Sequence, residues 1–201
     1  MLAVRMQLDI PAGDFDGYIF DLDGTLLDTM PLHYEAWNEA MRAAGLDRPL
    51  EEDYFYSLGG TPTRRVAELF GERYGLQLDP DTVFHHKEQL FTARQTEVQL
   101  IEPVVAFARD KAAAHPLAVA SGGPRVVVHR SLEVTGLREL FRAVVTADDV
   151  THGKPAPDMF LLAAKLLGVR PERCLVFEDA ELGIKAAQAA GMQVVRVDSR
   201  V

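Results

Sequence analysis

The second half of this 201-residue sequence alternates short apolar runs with amphipathic stretches, and this alternation restricts the fold more than any other feature. Short apolar runs are typical of buried strands, whereas the stretches between them repeat apolar residues with the helical period. Repeated strand–helix units predict a parallel sheet with helices on both faces, a doubly wound, Rossmann-like α/β fold. The predicted strands are 17–22, 117–121, 143–146, 174–179 and 193–197, and the predicted helices between them are 103–114, 124–134, 157–167 and 180–190.

Between the first predicted strand and the rest of the sheet lies a segment without any strand candidate. This segment spans 29–97, and a helical insertion of that length can form a small bundle. We therefore predict two domains, a core made of 1–28 and 98–201 and an inserted helical cap made of 29–97. The helices predicted in the cap are 33–44, 62–74 and 81–96.

Charge and cysteine content narrow the classes of partner. The chain has 30 acidic and 21 basic residues, a net charge of −9, and no run of lysine or arginine, so we expect no nucleic-acid partner. No apolar run approaches the roughly 18 residues of a membrane-spanning helix, so no membrane is expected either. The single cysteine, Cys174, cannot form an internal disulfide and the first residues lack a secretory pattern, which together favour the cytoplasm. We expect a monomer or a weak homodimer.

Polar side chains follow several predicted strands at the point where each strand ends. Ligands of open parallel sheets bind beyond the carboxyl ends of the strands, so these side chains should face one crevice. The first two are aspartates two residues apart, which would share a face of an extended segment, repel each other and need a cation to offset their burial. Carboxylates with one lysine suggest Mg²⁺ together with an anionic ligand. The candidates are Asp21, Asp23, Ser121, Lys154, Glu178 and Asp179.

Each of these residues also has a plainer explanation. Asp23 before a glycine could be an ordinary turn, and Ser121 before two glycines could be a helix cap. Lys154 before a proline could be a solvated loop residue, and Glu178 with Asp179 could simply favour the start of the next helix. A calcium-binding loop is excluded, since the glycine comes too early and a leucine occupies the twelfth position, where a glutamate is needed. All of these features at successive strand ends are much less expected by chance than any one alone.

The features occur together in a known family. The segments FDLDGT (20–25), GKPAPD (153–158) and VFEDAELGI (176–184) resemble the haloacid dehalogenase superfamily of phosphotransferases, and the strand that ends in Ser121 completes the set. The likeness is greatest to the β-phosphoglucomutase-like branch, especially its sugar-phosphate phosphatases of the fructose-1-phosphate or 6-phosphogluconate type. The resemblance implies a Rossmann-like core with a small helical cap and a small phosphorylated metabolite as the partner.

The same resemblance implies a role for each residue that would touch the phosphoryl group. Asp21 would be the nucleophile that forms an aspartyl-phosphate, because a carboxylate is already ionised. Asp23 would protonate the leaving alcohol and later accept a proton from water, so we expect its pKa to be raised in the closed site. Ser121, Gly122 and Lys154 would hold the phosphoryl oxygens.

A magnesium site is also implied by the resemblance. Mg²⁺ would bind Asp21, the backbone carbonyl of Asp23, and Asp179. Glu178 would either bind the metal as well or orient the ligands that do. We therefore predict Mg²⁺ as the cofactor, with positioning and charge neutralisation supplying most of the rate acceleration.

The cap contributes further candidates. Thr29, His33 and Trp37 match positions that carry hinge and substrate contacts in the mutase relatives, although Trp37 is more often expected to pack in a core. Thr63 and Arg64 lie in the loop with which those relatives hold the distal phosphate of their substrate.

Two departures from the mutase pattern bear on the reaction. Thr63 stands at the position of an arginine in that loop, with Arg64 and Arg65 next along, and Gly123-Pro124 stands in place of a serine–lysine pair. Both changes weaken the grip on a second phosphate, which a mutase needs and a hydrolase does not. The sequence therefore predicts a Mg²⁺-dependent phosphatase of a small sugar phosphate, with β-phosphoglucomutase as the alternative and an idle binding protein as a weaker one.

Overall fold

The computed structural model of the protein describes residues 8–198, so the predicted core residues 1–7 and 199–201 lie outside it. The strands in this range are β1 (Gly17–Phe20), β2 (Leu27–Asp28), β3 (Gln99–Leu100), β4 (Leu117–Ala120), β5 (Ala143–Val145), β6 (Cys174–Glu178) and β7 (Gln193–Arg196). Five of these described strands form one parallel sheet in the order β5-β4-β1-β6-β7. The first strand is therefore central, with later strands added on both sides, which confirms the predicted α/β fold.

The central strand β1 is buried on both faces because its side chains alternate between two hydrophobic clusters. Tyr18 and Phe20 belong to one cluster, whereas Ile19 between them belongs to the other. Leu117 on β4 and Leu175 on β6 are paired with Tyr18 and join the same cluster. A parallel sheet covered by helices on both faces requires apolar residues at every position, and the short apolar runs of the sequence meet that requirement.

Helices cover the two faces of the sheet. Residues of α5 and α6 pack into the cluster of Tyr18, and residues of α7 and α8 pack into the cluster of Ile19. No helix within residues 8–198 is long and apolar enough to cross a bilayer. The helices are α1 (Met30–Ala43), α2 (Glu52–Ser57), α3 (Thr63–Tyr74), α4 (Pro80–Ala93), α5 (Glu102–Ala112), α6 (Arg125–Val134), α7 (Asp158–Leu167) and α8 (Glu181–Ala189).

The inserted segment has a hydrophobic cluster of its own, made by α1 to α4 and centred on Trp37 and Phe70, whose ring centroids are 5.1 Å apart. Helix α2 was not predicted, because Phe55 is its one buried residue and gives no helical period. The antiparallel pair β2–β3 was also missed, since two residues per strand are too few to show alternation. This pair lies where the chain leaves and re-enters the core, which supports the division at 29–97 as a proposal.

Candidate active site

The loop after β1 carries the first two candidate acids. Strand β1 ends at Phe20, two residues earlier than predicted. The backbone N–H of Asp21 still donates to the carbonyl of Phe177 at 3.0 Å. The carbonyl of Leu22 then accepts from the N–H of Leu26 at 3.0 Å, so the chain turns. Asp21 and Asp23 consequently sit in a turn at the carboxyl edge of the sheet, and both line the same cavity.

Lys154 bridges two carboxylates of the site. Its Nζ is 2.5 Å from Asp21 Oδ1 and 2.7 Å from Glu178 Oε1, and the residue is only 4% exposed. The alternative of a solvated loop lysine is therefore wrong. Burial would lower the pKa of Lys154, but the two carboxylates outweigh burial and hold that pKa above its usual value, so the ammonium stays charged.

Negative charge is in surplus around Asp21. Burial, together with neighbouring carboxylates, raises the pKa of Asp21 well above its usual value, although the charge of Lys154 acts in the opposite direction. Burial and the charge of Glu178 raise the pKa of Asp179 to about 7. These shifts mean that one ammonium does not balance the carboxylates gathered here, so the site favours the arrival of a further cation.

Asp179 reaches across to the loop after β1. Thr25 Oγ1 donates to Asp179 Oδ1 at 3.1 Å. Gly24 has a φ of +84°, and a Cβ at this position would lie 2.3 Å from Asp179 Oδ2. A glycine is thus needed both for the left-handed turn and for the close approach of the carboxylate. The Asp-Gly turn expected as the plainer explanation exists, and it also forms one wall of the site.

Asp23 is held by the first turn of α1. Thr29 Oγ1 donates to Asp23 Oδ1 at 2.7 Å, and His33 Nε2 lies 3.3 Å from the same oxygen. Burial alone would raise the pKa of Asp23, but the hydrogen bond from His33 and the hydrogen bond from Thr29 outweigh burial and lower that pKa to about 2. In this structure the pKa of Asp23 is lowered rather than raised, because these partners stabilise the ionised carboxylate.

Ser121 and Gly122 follow β4 at the same edge. Ser121 is 1% exposed, and its Oγ accepts from the N–H of Gly123 at 3.1 Å. This bond closes a turn ahead of α6, whose N-cap residue is Pro124 and receives no side-chain bond, so the plainer explanation of Ser121 as a helix cap is wrong. Gly122 lines the cavity beside Asp21. The contact of Ser121 and Gly122 with a phosphoryl group stays a prediction.

Glu178 is fully buried, and both of its oxygens have protein donors. Oε1 accepts from Lys154, and Oε2 accepts from the N–H of Ala180 at 2.6 Å. This is also the helix-start contact that the plainer explanation expected. Direct binding of the metal by Glu178 is disfavoured by these two bonds, so its other predicted role, orienting the residues that bind the metal, fits better.

Glu178 can lie so close to α8 because residue 183 is a glycine. A Cβ on Gly183 would stand 1.6 Å from Glu178 Oε1 and 2.1 Å from Cδ. We expect Gly183→Ala to displace the carboxylate from Lys154 and to lower stability by roughly 2–4 kcal/mol, as overpacking and a broken buried ion pair together do. Thermal melting and phosphate release measure the two losses. The exposed Gln188→Ala on the same helix is the control, and unchanged melting of Gly183→Ala would contradict the packing.

Metal ligands are few in number here. In the part of the chain that the structure describes, no group of three or more His, Cys, Asp or Glu side chains is arranged to hold a metal ion. Mg²⁺ does not require such a cage, since it is commonly bound by one or two carboxylates, with waters and substrate phosphate completing the octahedron. Asp21 and Asp179, the two carboxylates with raised pKa, remain the candidates for that role.

A cavity of about 110 Å³ lies between the carboxyl edge of the sheet and the inserted helices. The loop acids and Gly122 form its core side, and several residues of the inserted segment form the other side. Trp37 is compatible with both roles predicted for it, core packing and contact with substrate. It is 3% exposed within the hydrophobic cluster of the inserted segment, and it also lines this cavity. The lining residues from the inserted segment include His33, Trp37, Thr63, Lys87 and Glu88.

Lys87 and Glu88 were not predicted. They lie in the predicted helix 81–96, close to the exposed His85. The overlooked signal is spacing: Val83, Lys87 and Phe91 recur every four residues, which puts the lysine on the buried face of the helix.

Arg64 is not brought to the cavity. Its Nε bonds Asp81 Oδ1 at 2.6 Å, a second nitrogen bonds Glu68, and the side chain is 55% exposed. Arg65 is likewise exposed and pairs with Glu68 and Glu72. Thr63, at the start of α3, does line the cavity, so of the two loop candidates the threonine alone is in position.

Comparison with known proteins agrees with this geometry. A model of the haloacid dehalogenase-like hydrolases matches residues 15–191. The fructose-1-phosphate phosphatase YqaB of Escherichia coli is 40% identical over 183 residues, which cover 91% of this chain and 96% of that protein.

Solved structures have a similar fold. A mutant of CbbY from Rhodobacter sphaeroides in complex with xylulose-(1,5)bisphosphate has a TM-score of 0.80 and 29% identity over 90% of this chain and 84% of that one. A β-phosphoglucomutase from Clostridium difficile has a TM-score of 0.78 and 25% identity over 90% and 83% of the two chains. The chain therefore belongs to the haloacid dehalogenase-like hydrolases.

Proposed function

We propose that the protein is a Mg²⁺-dependent phosphatase that hydrolyses a small sugar phosphate through an aspartyl-phosphate on Asp21. The observation that carries this proposal is the pair of acids facing one cavity, with buried Asp21 held by Lys154 and half-buried Asp23 held by Thr29. The substrates in the names of the similar proteins, fructose 1-phosphate and xylulose bisphosphate, support a phosphorylated sugar. The single buried free cysteine, Cys174, supports a reducing compartment such as the cytoplasm.

The charge around Asp21 supports Mg²⁺ as the cofactor. The carboxylates of Asp21 and Asp179 both have raised pKa values in this arrangement, and a cation would relieve that repulsion. These two residues and the backbone carbonyl of Asp23 would hold the ion. Mg²⁺ bound there would neutralise charge that develops on the phosphoryl oxygens.

The chemistry of the chain's own residues follows in two steps. An oxygen of Asp21 attacks the phosphorus while the bond to the sugar oxygen breaks, and Asp23 gives that oxygen its proton. Water then attacks the phosphorus of the aspartyl-phosphate, passes its proton to Asp23, and releases inorganic phosphate with a free Asp21 carboxylate. Throughout, Lys154 keeps Asp21 in place and reduces its repulsion with the phosphoryl oxygens.

The low pKa of Asp23 is compatible with this cycle. Ionised Asp23 is ready to act as the base toward water. It must gain a proton before it acts as the acid, and the negative phosphoryl group supplies the shift, since a like charge close to a carboxylate raises its pKa. The bonds from Thr29 and His33 fix the direction in which that carboxylate faces.

Hydrolysis is favoured over phosphoryl transfer between sugar positions. A mutase must clamp a second phosphate and keep water from its aspartyl-phosphate. Arg64 and Arg65 are engaged with surface acids, and Lys87, which does reach the cavity, is neutralised by Glu88 at 3.0 Å. The cavity wall therefore offers a second phosphate little net positive charge.

The test is to follow inorganic phosphate and glucose 6-phosphate together, starting from β-glucose 1-phosphate with a bisphosphate primer. We expect phosphate to form with little glucose 6-phosphate, and some other monophosphorylated sugar in a panel to be hydrolysed faster. Glucose 6-phosphate ahead of free phosphate would establish the mutase instead. An idle binding protein would release no phosphate even from an activated aryl ester.

A further inference from the structure

The ion pair of Lys87 and Glu88 is a polar feature within an apolar wall. Nζ of Lys87 lies 3.0 Å from Glu88 Oε1, the two residues are only 2% and 9% exposed, and both line the cavity. The ammonium also lies 5.7 Å from the ring centroid of Trp37 and 5.2 Å from that of Phe91. Glu88 is therefore a buried carboxylate whose charge is balanced by Lys87 on the same inserted helix, separately from the acids of the core.

Two buried acceptors of this wall lack a partner. Within residues 8–198, Glu88 Oε2 and His33 Nδ1 are buried side-chain atoms with no hydrogen bond, and both residues line the cavity. Buried polar atoms are normally bonded, because an unpaired one carries the full penalty of its desolvation. A site that retains two such atoms is suited to a ligand that pairs them.

Both atoms are hydrogen-bond acceptors, so both would be paired by a ligand group that donates. A carboxylate oxygen can only accept, and His33 Nε2 faces an oxygen of Asp23, so the neutral ring donates there and leaves Nδ1 as an acceptor. Hydroxyl groups donate to such atoms, whereas a second phosphate or a carboxylate would bring only acceptors and like charge to Glu88. The wall is thus complementary to an uncharged polyhydroxyl group.

We propose that Glu88 is a specificity-determining residue that accepts a hydrogen bond from a substrate hydroxyl and thereby selects monophosphates of neutral sugars or polyols over bisphosphates and sugar-acid phosphates. The inference rests on the proposed phosphatase function and specifies its substrate class. Lys87 has the supporting role of balancing the buried charge.

Glu88→Gln gives the sharpest test. The amide oxygen can still accept from Lys87, while its NH₂ group offers donors where the carboxylate offered an acceptor. We expect the ratio of kcat/KM for fructose 1-phosphate to that for fructose 1,6-bisphosphate to fall by about 10- to 100-fold, the range of one charged hydrogen bond. The same direction is expected for a hexitol phosphate against 6-phosphogluconate.

An aryl phosphate, which carries no sugar hydroxyl, serves as the reference substrate within each variant. Glu88→Ala should lower kcat/KM for the sugar monophosphate relative to the aryl phosphate by at least about 10-fold. Circular dichroism checks that this variant, which strands Lys87, is folded; if it is not, Glu88→Gln alone decides. Gln89→Ala, exposed on the same helix, is the matched control and should leave every ratio as in the wild type.

Unchanged ratios in folded Glu88→Gln would overturn the inference, as would a wild type that prefers the bisphosphate or the sugar acid. If the proposed function itself is wrong, the result is distinguishable, because the wild type would then hydrolyse the aryl phosphate but none of the sugar phosphates.

Discussion

Asp21→Asn is expected to abolish turnover and to leave the fold intact. The amide is no nucleophile toward phosphorus, so neither the aspartyl-phosphate nor free phosphate should form. We expect kcat to fall by roughly 10⁴-fold or more, the scale on which the loss of a covalent nucleophile is felt. Phosphate release measures turnover, and mass spectrometry of rapidly quenched enzyme detects the phosphorylated chain in the wild type and its absence in the variant.

The stability of this variant should be unchanged or higher. The pKa of Asp21 is raised in the folded protein by burial and neighbouring carboxylates, so its ionised form opposes folding at neutral pH. A neutral amide removes that repulsion, and Lys154 keeps Glu178 as a partner at 2.7 Å. Asp110→Asn, at an exposed position of α5, is the control for loss of a charge. Appreciable turnover by Asp21→Asn would rule out the covalent mechanism.

The fold was predictable because its determinants are local. Strands such as β1, which must be apolar on both faces, appear in the sequence as short apolar runs, and the helices between them keep the helical period. The starts of helices are less well defined by such patterns. Helix α1 begins at Met30 rather than 33, because Pro31 is well tolerated in a first turn, and α4 begins at Pro80 because Asp79 caps it.

The core side of the site was predictable for a similar reason. The carboxyl ends of parallel strands meet at one edge, so the order of residues along the chain placed Asp21, Ser121 and Glu178 together. The environment of each acid was not predictable. The pKa of Asp23 depends on Thr29 and His33, which reach it only because α1 folds back over the loop.

The cap side was the least predictable part. Lys87 and Glu88 resemble the solvated face of an amphipathic helix, and only the packing of α4 against α1 and the cavity shows that they are buried. Arg64 illustrates the converse, since the resemblance to mutase relatives suggested a contact with substrate, whereas Asp81 and Glu68 hold it at the surface. Long charged side chains can reach several partners, and the spacing of residues in the sequence does not identify which one they contact.

Asp23→Asn is expected to slow turnover by about 10²- to 10⁴-fold, with the loss depending on the leaving group. A sugar alkoxide is a poor leaving group and needs the proton that Asp23 supplies, so its phosphate ester should suffer most. An aryl phosphate needs less proton donation, and formation of the aspartyl-phosphate from it should be less affected. Single-turnover kinetics with both esters separate this step from the attack of water, which requires Asp23 as a base in either case.

The two asparagine variants should also differ in stability, and with opposite sign. The hydrogen bonds of His33 and Thr29 lower the pKa of Asp23 to about 2, so its ionised form favours folding above the usual pKa of 3.8, and this contribution is lost as pH falls through about 2. Asp23→Asn should therefore cost on the order of 2 kcal/mol at neutral pH, whereas Asp21→Asn should cost none. Asp28→Asn, exposed at the end of β2 and five residues along the chain, controls for a change of charge nearby. Equal kinetic losses with both esters would mean that Asp23 only positions the loop, and equal melting temperatures would mean that its bonds to α1 are not made in solution.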